Sequence, residues 1–398
     1  MAAILGLSLL ALVFSLICNY HHAIVLVEGR MPVSVSLSEE EDLQLETQLK
    51  SLNKLPIKTI YAEWGDIYDC IEFHKQPAFD HPLLKKHKLL IRNEPLATKS
   101  NATFLGGIDG CPKGTVPIRR TTKDDLIRAK SLSLLSSSEA HGDIQYRAGY
   151  QLSLEGQKLY GASGIVNVWN PNVENDQFSS AEITLKSGPA EQVNGMKFGW
   201  MVNPQLYGDN VTRGFTYWTG DGSHKTGCYN TLCPGYVQVD ARYTPDLPFE
   251  TSSIFLAYQY VVTVDISLEP EGWWLTLTGN SSTVSRMGYW PRELFPLFTL
   301  TPGDGVDSIY WGGRVKSGRD GAVPPMCSGH FAGPTTDATG YFLDVKYKDV
   351  NGNLLKPDMD NLQHVNDCPE FYSAQYYADD NQIHFGGKGG GLTGRCYS

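Results

Sequence analysis

From Tyr146 to the C-terminus, apolar side chains recur at every second residue in short runs. In "SAEITLKSG", Ala181, Ile183 and Leu185 fall on one side of an extended chain, and "VVTVDISLEP" and "GWWLTLTG" alternate in the same way. Turn sequences such as "GDGS", "DVNGN" and "TPGDG" separate these runs. About a dozen short strands without a βαβ rhythm predict a mainly β fold, an antiparallel two-sheet β-sandwich.

The sequence ahead of these strands has a different character. In "SEEEDLQLETQLKSLNKLP", Ser38 and Glu41 have the spacing of a capping box, and Pro56 follows as a stop, so we expect one long helix here. A mixed segment comes next, and the Ser-rich stretch that ends near residue 140 is typical of an exposed linker. These features predict a small mixed α/β domain with a boundary near residue 140.

The first residues, "MAAILGLSLLALVFSLICNYHH", contain an apolar run over residues 4–18. This run is short for a membrane span but suits the core of a signal peptide, which we place over residues 1–29. A membrane anchor is the alternative, because no basic residue lies near Met1. After signal removal we expect no membrane association, since no other apolar segment is long enough to span.

Composition and cysteine usage narrow the classes of partner and compartment. The net charge is -10 and no long basic run is present, which argues against nucleic-acid binding. Eight cysteines suit an oxidising compartment, and seven remain if Cys18 leaves with the signal, so one is left unpaired. Three N-x-S/T sequons, at Asn101, Asn210 and Asn280, are candidate glycosylation sites and agree with secretion.

Familiar catalytic and metal-binding signatures do not occur in the chain. There is no GxSxG elbow, no HExxH helix and no phosphate-binding GxxxxGK[ST] loop. Cys327 and His330 in "PPMCSGHF" could form a thiol–base pair, but an unpaired thiol is the simpler interpretation. Cys228 and Cys233 have no nearby partners for a metal and favour a local disulfide. We expect neither a metal nor a cofactor.

A series of longer motifs resembles one known family. The stretches "YDCIEF", "QPAFDHPLL", "CPKGTVPIRR", "YGASGIVNVWNP", "GWMVNP", "FTYWTGDG", "GCYNTLCPG", "GYWP", "YWGG" and "SGHF" occur in this order. Together they resemble the neprosin family, secreted glutamic peptidases of plants that are made with a propeptide. The resemblance implies an activation peptide over residues 30–140 and a peptidase-like β-sandwich over residues 141–398.

The resemblance also implies an endopeptidase that prefers proline and uses two glutamates on neighbouring strands. One carboxylate activates water while the other supplies a proton, and close like charges separate their pKa values to allow this division. The family's glutamate positions fall on Lys197 in "GMKFGW" and on Arg314 in "YWGGRV". A glutamine that lines the family's site falls on Glu182. Both catalytic acids are therefore replaced by cations.

We expect Glu182 to form an ion pair or triad with Lys197 and Arg314, because each of the three lies opposite the apolar row of its strand. Such a carboxylate would have a lowered pKa. The resemblance further implies three disulfides, Cys70 with Cys111, Cys228 with Cys233 and Cys368 with Cys396, which leaves Cys327 as the free thiol.

Two hypotheses for function follow. The first is a secreted or vacuolar pseudoenzyme whose cleft binds a peptide, a C-terminal carboxylate or another anion, so that its partner is a peptide or a protein. The second is an active proline-directed endopeptidase or other hydrolase that uses different residues, with Lys197 as a base or Glu293 nearer the cleft than the family alignment suggests. The sequence does not indicate an oligomeric state.

Overall fold

The computed structural model describes residues 38–87, 108–137, 144–279, 284–298, 304–391 and 396. Its helices are α1 (Glu39–Leu52), α2 (Lys123–Ser137) and the single turn α3 (Pro204–Tyr207). Its strands are β1 (Lys58–Tyr61), β2 (Ile67–Glu72), β3 (Thr115–Arg119), β4 (Gln145–Ser153), β5 (Gly161–Asn167), β6 (Phe178–Ser187), β7 (Asn194–Val202), β8 (Arg213–Thr219), β9 (Cys228–Tyr229), β10 (Val237–Gln238), β11 (Val261–Leu268), β12 (Gly272–Gly279), β13 (Val284–Pro291), β14 (Ser308–Lys316), β15 (Gly340–Lys348), β16 (Leu354–Leu355), β17 (Leu362–Asn366), β18 (Ser373–Tyr377) and β19 (Gln382–Gly386).

Two antiparallel sheets face each other and form the β-sandwich. One has the order β17-β4-β14-β6-β7-β8-β9, and the other runs β10-β13-β12-β11-β5-β15-β19-β18 with β16 paired to β15. The apolar rows predicted from the alternation lie between the sheets, where Ile183 and Leu185 of the first meet Val264, Ile266 and Leu275 of the second in one buried cluster. The mainly β, two-sheet prediction is confirmed.

A smaller α/β unit precedes the sandwich. The strands β1, β2 and β3 form its three-stranded antiparallel sheet. Helix α1 begins after Ser38, whose hydroxyl accepts a hydrogen bond from the Glu41 amide while the Glu41 carboxylate accepts one from the Ser38 amide. The predicted capping box is confirmed. Leu45 and Leu52 on this helix pack against Leu126 and Ile127 of α2.

The prediction of a single long helix was wrong. Helix α2 occupies much of the stretch that looked like a Ser-rich linker. At its start, Thr122 and Asp125 each accept a side-chain hydrogen bond from the backbone amide of the other. The stretch was assigned to a linker because serines are frequent towards its end, although its Leu126 and Ile127 pack on α1. The predicted domain boundary near residue 140 lies outside the described residues, as does the predicted signal peptide.

After β13, the stretch "PRELFPLF" from Pro291, for which the sequence predicts a short helix, forms two 3-10 turns, Arg292–Leu294 and Pro296–Phe298. The single turn α3 was not predicted. Four residues carry too little periodicity to distinguish a helical turn from a loop.

Buried charges join the α/β unit to the sandwich. The Asp66 carboxylate accepts from Arg119 Nε at 2.8 Å and from Arg213 Nη1 on β8 at 2.7 Å. Arg119 also donates to Asp125 at 3.2 Å, and Arg213 to Asp209 at 2.6 Å. Asp66, Arg119 and Arg213 are all at least nine-tenths buried. A carboxylate with two guanidinium partners is well compensated, whereas without it each buried arginine would keep only one carboxylate partner, Asp125 for Arg119 and Asp209 for Arg213.

Backbone and amide hydrogen bonds extend this interface. The Gln76 side chain donates to the Gln238 carbonyl at 3.1 Å and accepts from the Gln238 amide at 2.8 Å. The Cys111 amide donates to the Ala241 carbonyl at 2.8 Å. The α/β unit is therefore held to the sandwich by buried polar contacts over more than one region.

The cysteines pair as Cys70–Cys111, Cys228–Cys233 and Cys368–Cys396, which are the pairs that the family resemblance implies. Cys327 is free and buried. Among the described helices, none has the length and apolar character required to span a membrane.

We predict that Asp66→Asn lowers the free energy of unfolding by about 3 kcal/mol, because it leaves two buried guanidinium groups without their shared carboxylate. Urea denaturation measures the change. The matched control is Asp80→Asn, which breaks an ion pair with Lys54 that is much more exposed and should cost less than about 1 kcal/mol. Equal effects of the two variants would contradict a special role for the buried network.

Candidate functional site: a buried carboxylate between two cations

A cavity of about 510 Å³ opens on the outer face of the seven-stranded sheet, beneath the two long helices. Its floor comes from β4, β6, β7, β8, β9 and β14, and its roof from α1 and α2. The lining residues are Leu45, Gln48, Leu126, Ala129, Lys130, Gln145, Phe178, Lys197, Tyr217, Ser223, Thr226, Gly227, Cys228, Tyr229, Leu232, Cys233 and Lys316.

Glu182 lies at the base of this region on β6, with glycines directly opposite it on both neighbouring strands. Gly199 on β7 and Gly312 on β14 are its partners in register. Because neither carries a side chain, longer side chains from the same two strands can fold over them and reach the carboxylate. A Cβ at Gly199 would lie 1.9 Å from the Ala181 carbonyl oxygen, so glycine is required at that position.

One oxygen of the Glu182 carboxylate accepts hydrogen bonds from three side chains. Glu182 Oε1 accepts from Arg314 Nε at 2.8 Å, from Thr184 Oγ1 at 3.1 Å and from Lys197 Nζ at 3.4 Å. Arg314 also donates to Gln145 at 3.3 Å. The structure thus brings together the three residues that we expected to interact, with Arg314 the closer of the two cations.

Burial and neighbouring charges shift the pKa of Glu182 in opposite directions. The residue is 1% exposed, and burial alone would raise its pKa, but Arg314 and then Lys197 outweigh that effect and lower the pKa to about 2. The Glu182 carboxylate raises the pKa of Arg314 against the opposing effect of burial. Glu182 is therefore an ionised partner of the cations over the whole ordinary pH range.

At Lys197 the net effect of burial and neighbouring charges on the pKa is different. Burial and repulsion from Arg314 lower its pKa to about 8, although Glu182 pulls in the opposite direction. Its ammonium group also lies 5.4 Å from the centre of the Tyr217 ring. Since Arg314 takes the shorter bond to Glu182, Lys197 is the less fully compensated cation.

The charged residues that line the cavity are all lysines. They are Lys130, Lys197 and Lys316, and no Asp or Glu is among the lining residues in the described part of the chain. Lys130 on α2 pairs with Glu41 of α1 at 2.9 Å, and Lys316 donates to Gln205 at 2.8 Å. The cavity wall is basic in a protein whose net charge is -10.

Other candidates from the sequence lie elsewhere. Glu293 is on the 3-10 turn after β13, where it pairs with His87 at 2.9 Å, away from the cavity lining. Burial raises the pKa of the Cys327 thiol well above its usual range, and the His330 ring stacks on Phe255. The proposed Cys327–His330 pair therefore does not form.

Asn210 is exposed, as a glycosylated asparagine must be. Asn101 and Asn280 lie outside the described residues.

Fold and site together define a two-sheet β-sandwich protein with an N-terminal α/β unit over a basic cleft. The sequence profile of the neprosin family matches residues 175–388, and that of the neprosin activation peptide matches residues 59–155. The chain belongs to the neprosin family.

Solved structures of glutamic peptidases also resemble this chain, with low sequence identity and low TM-scores. Two are crystal structures of scytalido-glutamic peptidase, one with a transition state analogue inhibitor and one with a peptide-based transition state analogue. They have 10% and 9% identity, cover 61% of this chain and 98% of their own, and have a TM-score of 0.36. SCP-B of the eqolisin family, in complex with the tripeptide Ala-Ile-His, has 10% identity, the same coverage and a TM-score of 0.35. Likeness at this level does not establish a correspondence of site residues.

Sequence reasoning missed the roof of the cavity and two of its lysines. Lys316 follows Arg314 on the same face of β14, so the alternation that placed Arg314 could also have placed Lys316. Lys130 could not be found in this way, because its helix was assigned to a linker.

We predict that Glu182→Gln lowers the free energy of unfolding by about 2 to 3 kcal/mol at pH 7, since two cations lose their shared counter-charge. The folded pKa of about 2 lies below the unfolded value of about 4.3, so this stabilisation is present above about pH 5 and is lost as the pH falls towards 2. Urea denaturation across this range measures it.

The control for this prediction is Thr184→Val, which removes only a neutral donor and should cost about 1 kcal/mol with little pH dependence. A Glu182→Gln variant as stable as the unmodified protein at pH 7 would show that the ion pairs contribute no net stability.

Proposed function

We propose that this protein is a non-catalytic member of the neprosin family whose cleft binds an anionic peptide or protein segment. The observation that carries the proposal is the convergence of Lys197 and Arg314 on the single buried carboxylate of Glu182. The family resemblance places these two cations at the family's catalytic glutamate positions. Each contact is short enough to be an ion pair.

The glutamic-peptidase mechanism requires one ionised and one protonated carboxyl group close together. Glu182, with a pKa of about 2, is ionised and bound by cations, so it is a weak base and offers no proton. The residues closest to it supply positive charge where the mechanism needs a second acid. The arrangement therefore does not support peptide hydrolysis by the family's route.

The same charges favour an anionic ligand. Lysines are the charged groups of the cavity wall, and a low-dielectric cleft strengthens their field. Lys186, on the same face of β6, has a pKa lowered by burial and by the neighbouring charges of Arg147 and Arg314, which shows how strongly positive this region is. A C-terminal carboxylate or an acidic side chain would relieve that repulsion.

The alternative is a hydrolase that uses other residues, and the lowered pKa of Lys197 is the observation in its favour. A lysine base needs a nucleophile beside it and an acid for the leaving amine. In the described part of the chain, Lys197 donates to the ionised Glu182 carboxylate and lies 5.4 Å from the centre of the Tyr217 ring, and neither group fills those roles.

We also propose that the protein is secreted or vacuolar. Its three disulfides need an oxidising compartment, which agrees with the signal peptide predicted over residues 1–29.

We predict no cleavage of a proline-rich peptide by the purified protein at acidic or neutral pH, with mass spectrometry of the products as the measurement. The triple variant Glu182→Gln, Lys197→Glu and Arg314→Glu places the family's residues on the same backbone and should gain acid-dependent cleavage. Its matched control is the triple variant Glu182→Gln, Lys197→Gln and Arg314→Gln. Cleavage by the unmodified protein that persists after Lys197→Glu would overturn the non-catalytic assignment.

We predict that a peptide with acidic side chains and a free C-terminal carboxylate binds at least about tenfold more tightly than its counterpart with neutral side chains and a C-terminal amide. Isothermal titration at two salt concentrations tests this, and the difference should shrink at high salt. Arg314→Gln should reduce the preference. Equal binding of the two peptides would contradict a cleft selective for anions.

A further inference from the structure

The side chain of Lys197 combines three features that are seldom found together in a lysine. It lines a cavity large enough for a small molecule, its side chain is 15% exposed, and its shared carboxylate is bound more closely by Arg314. The structural role of the residue explains only the contact with Glu182.

From this geometry we propose that Lys197 is an amine nucleophile that captures anionic carbonyl compounds as an imine. The inference rests on the proposed anion-binding function of the same cavity and adds a covalent step to it. The substrate class is an aldehyde or ketone that also carries a carboxylate or phosphate group.

The reaction balances without a further reactant. The Nζ lone pair forms a bond to the carbonyl carbon, and the π electrons of the carbonyl move to its oxygen, which takes up a proton. The nitrogen releases a proton, the carbon–oxygen bond breaks, and one water leaves with the carbonyl oxygen and the two amine hydrogens. The product is a lysine imine, and no oxidation or reduction takes place.

The electrostatic surroundings supply the neutral amine that this step needs. Burial and Arg314 lower the pKa of Lys197 to about 8, so about a tenth of the amine is neutral at pH 7, far more than for an ordinary lysine. The charged and titratable groups around it are Glu182 of β6, Arg314 and Lys316 of β14, Arg147 of β4, Tyr217 of β8, Tyr229 of β9 and Lys130 of α2.

Positive charge remains at the cavity when Lys197 is neutral. Arg314 keeps its charge beside Glu182, while Lys316 and Lys130 lie on the wall. An anionic group on the carbonyl compound would lie against these cations and hold the carbonyl near Nζ. Binding and reaction would then favour the same class of molecule.

The test uses pyridoxal 5′-phosphate, an anionic aldehyde, followed by borohydride reduction and peptide mapping by mass spectrometry. We expect the stable adduct at Lys197, formed at least about tenfold faster than at exposed lysines at pH 7, with a rate that rises as the pH increases towards 8. Lys197→Arg keeps the charge and should abolish this adduct. Lys75→Arg, a change at an exposed lysine away from the cavity lining, should leave it intact.

A parallel titration with pyridoxine 5′-phosphate, which has no carbonyl group, separates this inference from the function on which it rests. If that compound binds the cleft while the aldehyde labels only exposed lysines, covalent capture is overturned and anion binding stands. If neither compound binds at the cleft, both proposals fail. If pyridoxal without its phosphate labels Lys197 equally fast, the requirement for an anionic group is wrong.

Discussion

The ionised carboxylate of Glu182 is the constraint on which the site depends. Two cations on the strands that flank β6 can remain close together in a largely buried region only because this carboxylate lies between them. The glycines opposite it allow that approach without a change in the strands. The sheet therefore keeps regular strand pairing while two cations surround one buried carboxylate on its outer face.

The sandwich could be predicted because its physical cause is local and repeated. Alternating apolar residues on β6, β11 and β12 indicate one buried face whatever the strands pair with, and turn residues separate them. The cluster of Glu182, Lys197 and Arg314 could be predicted for the same reason together with the family motifs. Alternation places each residue on the outer face, and the motifs place their strands side by side.

Helix α2 and the buried charges of the N-terminal unit could not be predicted, because their cause is tertiary. Helix α2 is stabilised by packing on α1 and by the charges around Asp125. The buried cluster of Asp66, Arg119 and Arg213 joins residues far apart in sequence, and nothing local distinguishes them from surface charges. The roof of the cavity, and Lys130 within it, was missed as a result.

The disulfide between Cys70 and Cys111 determines what a protease could release from this chain. Cleavage anywhere between these two cysteines leaves both fragments covalently joined, so the cut chain would separate only after reduction. A cut after Cys111 would be needed to detach the N-terminal unit, and there β3 and α2 protect much of the backbone. Even then, the buried contacts of Asp66 and Gln76 would hold the severed unit in place as a non-covalent subunit.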